Sequence, residues 1–291
     1  MIYKFIKEHE IVFRVVKMCE VLGVSKSGYY GWRKRPLSDR AKRRQALTKE
    51  VRRVHEESSQ IYGSPKIHKQ LGNEGIKTSE RTVQRIMADE SIRSKTVKKY
   101  KATTNSDHDQ PIYPNILNQD FTTTAPGEVW VADITYVWTK EGWLYLASVM
   151  DLYSRKIIGF NMGSRLTKEL AITALERAMI NQQPKEGLIH HSDRGSQYAS
   201  NDYTNKLKGA EITISMSRRG NCYDNACIES FHSALKKELI YQKKYKTRDE
   251  ATMSIFDYLV GFYNSKRIHS TLGYVSPNVF EKQYLLKLQK V

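Results

Sequence analysis

Cysteine is scarce in this 291-residue chain: there are three, Cys19, Cys222 and Cys227. So few, and an odd number, argue against a disulfide framework. Cys222 and Cys227 also lack a second Cys or His pair at zinc-finger spacing, which argues against a structural zinc module. There is no apolar run of the roughly 18 residues that read as a membrane-spanning helix, and the start, MIYKFIKEHE, has no apolar signal core. Neither an internal repeat nor a low-complexity tract is evident. A reducing, cytoplasmic setting is expected, with no membrane partner. Acidic residues are short relative to basic ones, 31 against 48, leaving a net charge of +17. That favours a polyanionic partner, nucleic acid first, although ribosomal and membrane-surface proteins share the trait.

The charge is uneven. Residues 1–110 carry 25 basic and 13 acidic side chains, a net of +12, so the N-terminal third is the stronger candidate for gripping phosphates. Phe13, Val16, Cys19 and Leu22 repeat at helical spacing. LGVSKSGYYGWRKR follows, with a turn at Gly23, an N-cap at Ser25 and a second short helix. This is a helix-turn-helix pattern or an ordinary helical hairpin, and the trailing Arg33, Lys34 and Arg35 favour DNA contact. Residues 38–58 read as one basic helix. IYGSPKIHKQLGNEGIKTSERTVQRIM then gives a helix from Pro65 to Leu71, a turn, an N-cap at Ser79 and a helix from Glu80 to Asp89. This second helix-turn-helix offers Lys66, Arg81 and Arg85 to DNA. The expected domains are 1–45, 46–100 (basic), a linker at 101–122, a core at 123–280 and a tail at 281–291.

From residue 128 the pattern becomes α/β. EVWVADITYVW, WLYLASVMDLY and RKIIGFNMG read as strands, and Thr167 opens a helix to about Gln182. GLIHHSD reads as a short strand, 198–208 as a helix, EITISMS as a fifth strand, and NACIESFHSALKKELIY and 249–265 as helices. That order predicts a ribonuclease-H-like fold, a five-stranded mixed sheet with flanking helices, preceded by all-α modules.

Three carboxylates stand out. Asp133 lies inside an apolar strand, where a charge costs several kcal/mol unless it is paired, hydrated or metal-bound. Asp193 follows a strand directly, at the end where open α/β sheets hold ligands. Glu229 sits on an amphipathic helix, beside the stripe Ile228, Phe231, Leu235 and Leu239, with His232 or Ser233 and then Lys236 along its own face. Singly, each is more ordinarily a loop cap or a solvated charge. If they converge, they cannot all stay ionised without cations. Hard divalent ions suit oxygen ligands, and a pair of them supports phosphodiester chemistry. The residues therefore point to metal-assisted phosphoryl transfer on nucleic acid.

WVADITYV, HSDRGSQY and NCYDNACIESFHSALKKELIY resemble the three catalytic blocks of bacterial insertion-sequence transposases related to retroviral integrases. Asp193 and Glu229 are separated by 35 residues, and Lys236 stands seven after Glu229, as in that family's Asp–Asp–Glu signature. YNSKRIHSTLGYVSP is similar to its closing motif, and IYGSPKIH with SERTVQRIM to its helix-turn-helix. The match is nearest to the second-frame product of the IS-three family, IS-one-fifty branch, made also as a frameshift fusion with an upstream frame. The chain begins at Met1 and lacks a zipper heptad stretch, as that product would. The resemblance implies two Mg2+ or Mn2+ ions, one held by Asp133 and Asp193 and one by Asp133 and Glu229. It implies cleavage at element ends, strand transfer into target DNA and DNA contact by Lys236. It further implies double-stranded DNA (terminal inverted repeats and target) as partner, a homo-oligomer on that DNA, association with the nucleoid, and the upstream-frame product as a possible partner.

Arg194 and Gln197 are expected in a loop contacting the scissile strand. His190 and His191 are read as packing or DNA contacts rather than ligands, Asp224 as near the site but not needed, and Arg267 and His269 as phosphate contacts or helix caps. Trp130, Trp138, Trp143 and the tyrosines are read as core in preference to base-stacking platforms. Two other readings remain: a helix-turn-helix DNA-binding regulator with an inactive core, and another ribonuclease-H-like nuclease.

Overall fold

Short apolar stripes at helical spacing build the N-terminal region. Its helices are α1 (Ile2–His9), α2 (Val15–Val21) and α3 (Lys26–Lys34). Ile6, Met18, Cys19 and Tyr29 form their buried centre, with Val15, Leu22 and Trp32 packed against it. The expected stripe shifts by one residue. Phe13 precedes α2 and is exposed, as is Val16, while Val15, Met18, Cys19 and Leu22 face inward at i, i+3, i+4, i+7. Gly23 takes the left-handed turn (φ +64°) between α2 and α3, and the Ser25 hydroxyl caps α3 by accepting from Gly28 N at 2.8 Å. A basic helix, α4 (Asp39–Glu57), follows. The computed structural model describes residues 1–96 and 112–289. Its contacts group them into two compact units, Met1–Arg52 and Arg53–Val291.

The second unit begins within the last turn or so of α4 and continues with α5 (Ser64–Asn73) and α6 (Glu80–Asp89), packed through Ile67, Leu71, Val83 and Ile86, all fully buried. Ser79 caps α6 through Thr82 N at 3.2 Å. Of the expected linker, 101–111 lies outside the described residues. After it, Ile116 N and Leu117 N donate to the Ser215 hydroxyl at 2.9 and 3.2 Å.

The sheet consists of β1 (Val129–Thr139), β2 (Gly142–Asp151), β3 (Ile157–Gly163), β4 (Ile189–Ser192) and β5 (Thr213–Met216), in the spatial order β3-β2-β1-β4-β5. β1–β2 and β2–β3 are antiparallel hairpin pairs; β1–β4 and β4–β5 are parallel. The parallel pairs need helical crossovers. These are α7 (Lys168–Asn181) before β4, and α8 (Ser196–Ala199) with α9 (Asn201–Gly209) before β5. This is the expected ribonuclease-H-like α/β fold. The crossover helices bury one face through Trp130, Ala132, Ala147, Leu175 and Leu207. Gly159 lets α7 lie on β3: a Cβ there would stand 2.2 Å from the Ala174 carbonyl oxygen and 2.6 Å from Ala178 N. The helix expected at 198–208 is broken at Ser200, whose extended backbone (φ −61°, ψ 144°) separates α8 from α9.

The opposite face carries α10 (Ala226–Glu238) and α11 (Arg248–Phe256). The expected helix at 249–265 changes pitch, continuing as a π-helical turn from Asp257 to Tyr263. The expected tail at 281–291 is largely helical: α12 spans Pro277–Leu288, and its Glu281 pairs with Lys156 at 2.6 Å. No helix among the described residues is long and apolar enough to cross a membrane.

One buried ion pair ties these helices together. Glu238, at the end of α10, accepts from Arg267 at 2.6 and 2.8 Å and from the Tyr258 hydroxyl at 2.6 Å. Burial pushes its pKa up, but the bonds and charge of Arg267 outweigh this and hold it low. Tyr62, just before α5, joins the same cluster: its phenol accepts from Ile268 N at 2.8 Å, and its ring carries the Lys66 ammonium 5.1 Å from its centroid. Removing one partner of a buried pair leaves an uncompensated charge. Glu238→Gln is therefore expected to lose about 3–5 kcal/mol in denaturant unfolding; a loss below about 1 kcal/mol would mean that Arg267 finds water instead.

His269 gives this cluster a pH signature. Burial first, then Arg267, Lys66 and Arg155, lower its pKa to about 3, and its Nε2 stands 3.2 Å from Arg267 Nη1. The unfolded chain takes up this proton near pH ~6.5 and the folded one only near 3, so stability falls as pH drops through that window. Melting curves of His269→Gln should show a shallower acid slope there than wild type; equal slopes would contradict the assignment.

Candidate active site

The parallel register places two of the three carboxylates. β1 and β4 pair from Val129↔Ile189 to Ala132↔Ser192, where β4 ends. The next residues, Asp133 and Asp193, leave the pairing side by side on strands about 4.8 Å apart. β1 continues against β2, with Asp133 opposite Ser148, so its edge toward β4 opens at Asp133. Both carboxylates thus emerge at the C-terminal ends of parallel strands, where an open sheet presents its ligand site. Asp193 Oδ1 accepts from Gly195 N at 2.8 Å, which bends the chain into the loop before α8.

α10 supplies the third. Its start is pinned to β1 by Asn225, whose Nδ2 donates to the Ala132 carbonyl at 3.0 Å. Ile228, Phe231 and Leu235 bury the inner stripe, which leaves Glu229 half-buried in the first turn. Burial, and then the charges of Asp133 and Asp193, raise its pKa. The three carboxylates therefore sense one another. Among the described residues, no three or more His, Cys, Asp or Glu side chains are gathered to ligate one ion.

Asp133 has a partner to which the sequence reading gave no role. His232, 4% exposed, places Nδ1 3.2 Å from Asp133 Oδ2 and Nε2 3.4 Å from the Ser148 hydroxyl. It lies one turn beyond Glu229 on the same face. The i, i+3 spacing was the available signal, but the β1–β2 register that supplies Ser148 is not written in it.

The remaining expected residues are scattered. Lys236, two turns beyond Glu229, holds its ammonium 4.9 Å from the Tyr136 ring centroid. Arg194 Nε donates to the Ser217 carbonyl at 2.6 Å, bracing the ends of β4 and β5. Gln197 reaches the Leu166 carbonyl at 3.5 Å and lines an open cavity of about 430 Å³ with Lys168, Asn201 and Asp202. Arg81 and Arg85 lie exposed, one turn apart, on α6. Lys66 is drawn into the Glu238–Arg267 cluster, where burial and then Arg267 lower its pKa to about 8. In the N-terminal unit, Lys34 and Arg35 are exposed at the end of α3, and Arg33 pairs with Glu10 at 2.7 Å.

Several polar residues near the site are structural. His190 and His191 are buried and held neutral by that burial, with pKa values of about 3 and about 4. They bond Tyr203 at 3.0 Å, and Ser215 and Ser217 at 2.8 and 3.1 Å. Asp224 takes a fork from Arg218, with Asn115 and Gln119 also donating; the Arg218 bond outweighs its burial and holds it far below the usual carboxylate range. Asp151 is consumed by Gly127 N and Ser154. Arg267 is taken up by Glu238 at 2.6 Å. Trp130 is core, but Trp138 is 60% exposed and Trp143 36%, because the β1–β2 hairpin reaches beyond the α7 layer.

Comparison with known proteins agrees with this architecture. Residues 123–222 and 210–277 each match an integrase core domain, and residues 42–100 match an HTH-like domain. The chain is 46% identical over 267 residues to the insertion element IS600 uncharacterized 31 kDa protein of Shigella sonnei, covering 92% of this chain and 98% of that one. It is 39% identical over 285 residues to transposase InsF for insertion sequence IS3A of Escherichia coli K12, covering 97% and 99%. Among solved structures, the HTLV-2 integrase catalytic core domain in complex with magnesium matches with a TM-score of 0.42 at 14% identity, covering 54% of this chain and 97% of that one. The catalytic core domain of BIV integrase matches at 0.41 and 19% identity, covering 56% and 99%. Full-length similarity to InsF, an HTH-like region and an integrase core together show that the chain belongs to the IS3 family of insertion-sequence transposases, DNA-acting polynucleotidyl transferases.

Proposed function

We propose that Asp133, Asp193 and Glu229 form the phosphoryl-transfer site of this transposase and hold two divalent cations, Mg2+ or Mn2+. The observation that carries this reading is geometric: the parallel register leaves Asp133 and Asp193 side by side where β4 ends, and Asn225 ties the start of α10, with Glu229 in its first turn, to the Ala132 carbonyl; the raised pKa of Glu229 agrees with it. Carboxylates that repel one another at the end of paired strands are a donor set in want of cations, and oxygen donors fit hard divalent ones. Bound there, such ions supply activation of an attacking oxygen and stabilisation of the leaving oxygen. Asp133 and Asp193 would hold one ion, and Asp133 and Glu229 the other. His232 keeps Asp133 from rotating, since it engages Oδ2 while its other ring nitrogen rests against Ser148.

The substrate follows from the family and the charge. The element's terminal inverted repeats and target DNA are the duplexes to be joined, and Arg81 and Arg85 on α6 with Lys236 on α10 are the cations placed to meet phosphate. Arg33, Lys34 and Arg35 offer a second basic cluster in the N-terminal unit. We assign 1–45 and 46–100 to DNA binding and 123–280 to chemistry by role, although α4 (Asp39–Glu57) and α12 (Pro277–Leu288) run across these limits and the compact units divide at Arg52/Arg53.

A strand-transfer assay with DNA from the element's own ends, in Mn2+, tests the assignment. Wild type is expected to give joined products, and Asp133→Asn, Asp193→Asn and Glu229→Gln each to lower the yield at least about a hundredfold, with DNA binding retained. DNA binding without cleavage in any divalent metal would favour a regulator with an inactive core. Hydrolysis without joining would favour a nuclease.

A further inference from the structure

The hairpin of β1 and β2 carries aromatic side chains past the end of the core. On the face covered by α7, the partly buried fringe of the core includes Ile134 and Tyr145. Beyond them, Tyr136, Trp138 and Trp143 continue toward the turn but do not join that core. Trp138 and Trp143 are directly opposite in the register. Their rings meet edge to face, 4.8 Å apart at 73°, and Tyr136 meets Trp143 at 5.0 Å and 84°. These contacts fix the rings while leaving Trp138 60% exposed. A single exposed Trp is ordinary, but a contiguous, ordered aromatic row beside a cation is the kind of surface that marks a binding site.

The row follows on from the carboxylates around the open edge of β1: alternation turns Asp133 toward α10 and Tyr136 toward the α7 side, and Lys236 reaches from α10 to the Tyr136 ring. α10 and β1 run alongside each other, touching at His232–Asp133 and again at Lys236–Tyr136. From Glu229 to Lys236 is about 10 Å along the helix, and from Asp133 to Tyr136 about 10 Å along the strand. That corresponds to about three steps of a DNA strand at 3.4 Å each, and Trp138 lies about two residues further on. Charge favours nucleic acid along this path: Lys236 covers Tyr136, and Lys140 is exposed in the turn. The turn's one acid, Glu141, is taken up by Arg248 N at 2.8 Å. Stacking on an aromatic face requires a base freed from its partner.

We propose that Tyr136, Trp138 and Trp143, with Lys236, form a stacking surface for unpaired bases of the DNA strand that leads into the carboxylate site. It deepens the reading of that site by naming where a frayed or single-stranded end is held. It does not require the carboxylates to bind metal, so the two readings fail separately.

The test is binding by the full chain in EDTA, followed by fluorescence anisotropy. The probes are a blunt duplex and the same duplex carrying a single-stranded oligo-dT extension. Wild type is expected to prefer the extended duplex and to show quenched tryptophan emission with oligo-dT alone. Trp138→Ala and Trp143→Ala should each lose that preference by about tenfold, with blunt-duplex affinity and melting temperature unchanged, and Trp138→Phe should retain most of it. The proposal is overturned if the preference survives both alanine variants, if blunt-duplex binding falls equally, or if wild-type emission is indifferent to oligo-dT. A change of oligomeric mass in Trp138→Ala would overturn it in favour of a contact between copies of the chain.

Discussion

The site depends on where one short parallel pairing stops. β4 is four residues long, and its last residue faces Ala132. That length fixes the level at which Asp133 and Asp193 leave the sheet, and a slip of β4 by one residue would turn Asp193 to the other face. β1 itself does not stop there. It is held on its other side by β2 over its whole length, so the open edge is rigid. Charge is then concentrated where backbone bonding ends, and mutual repulsion is part of what the fold builds.

α10 is the beam that brings the third group to this edge, and it is anchored at both ends. Asn225 ties its start to the carbonyl just before Asp133, and Glu238 ties its end to Arg267 inside a buried cluster that also contains Tyr62 and Lys66. Tyr62, just before α5, joins the cluster through its hydroxyl, which accepts from Ile268 N, and its ring carries the Lys66 ammonium. Buried pairs of this kind add little net stability but penalise any rearrangement that separates them. Glu229, His232 and Lys236 are thereby held in line along one helix face.

Much of the fold was legible because it rests on local pattern. The strands alternate or run apolar, the crossover helices have caps and stripes, and Asp133 stands out as a charge in an apolar strand. What was not legible depends on partners distant in sequence. The His232–Asp133–Ser148 contact needs the β1–β2 register and the seating of α10. Lys66 reads as a DNA contact, and Arg267 as a phosphate contact or a helix cap, until the buried cluster around Glu238 is seen to take up both. Trp138 reads as core because nothing local says that α7 ends short of the hairpin tip. The break at Ser200 and the π-helical turn at 257–263 are equally invisible to periodicity, since tertiary packing overrides local preference there.

The claim on which the rest turns is that Asp133, Asp193 and Glu229 act as one cation site. The most direct measurement is calorimetric titration of Mn2+ into the full chain without DNA, comparing wild type with the three isosteric variants at these positions. The account predicts that wild type binds Mn2+ and that each variant weakens binding by at least about tenfold. Equal Mn2+ binding by all four proteins would contradict it.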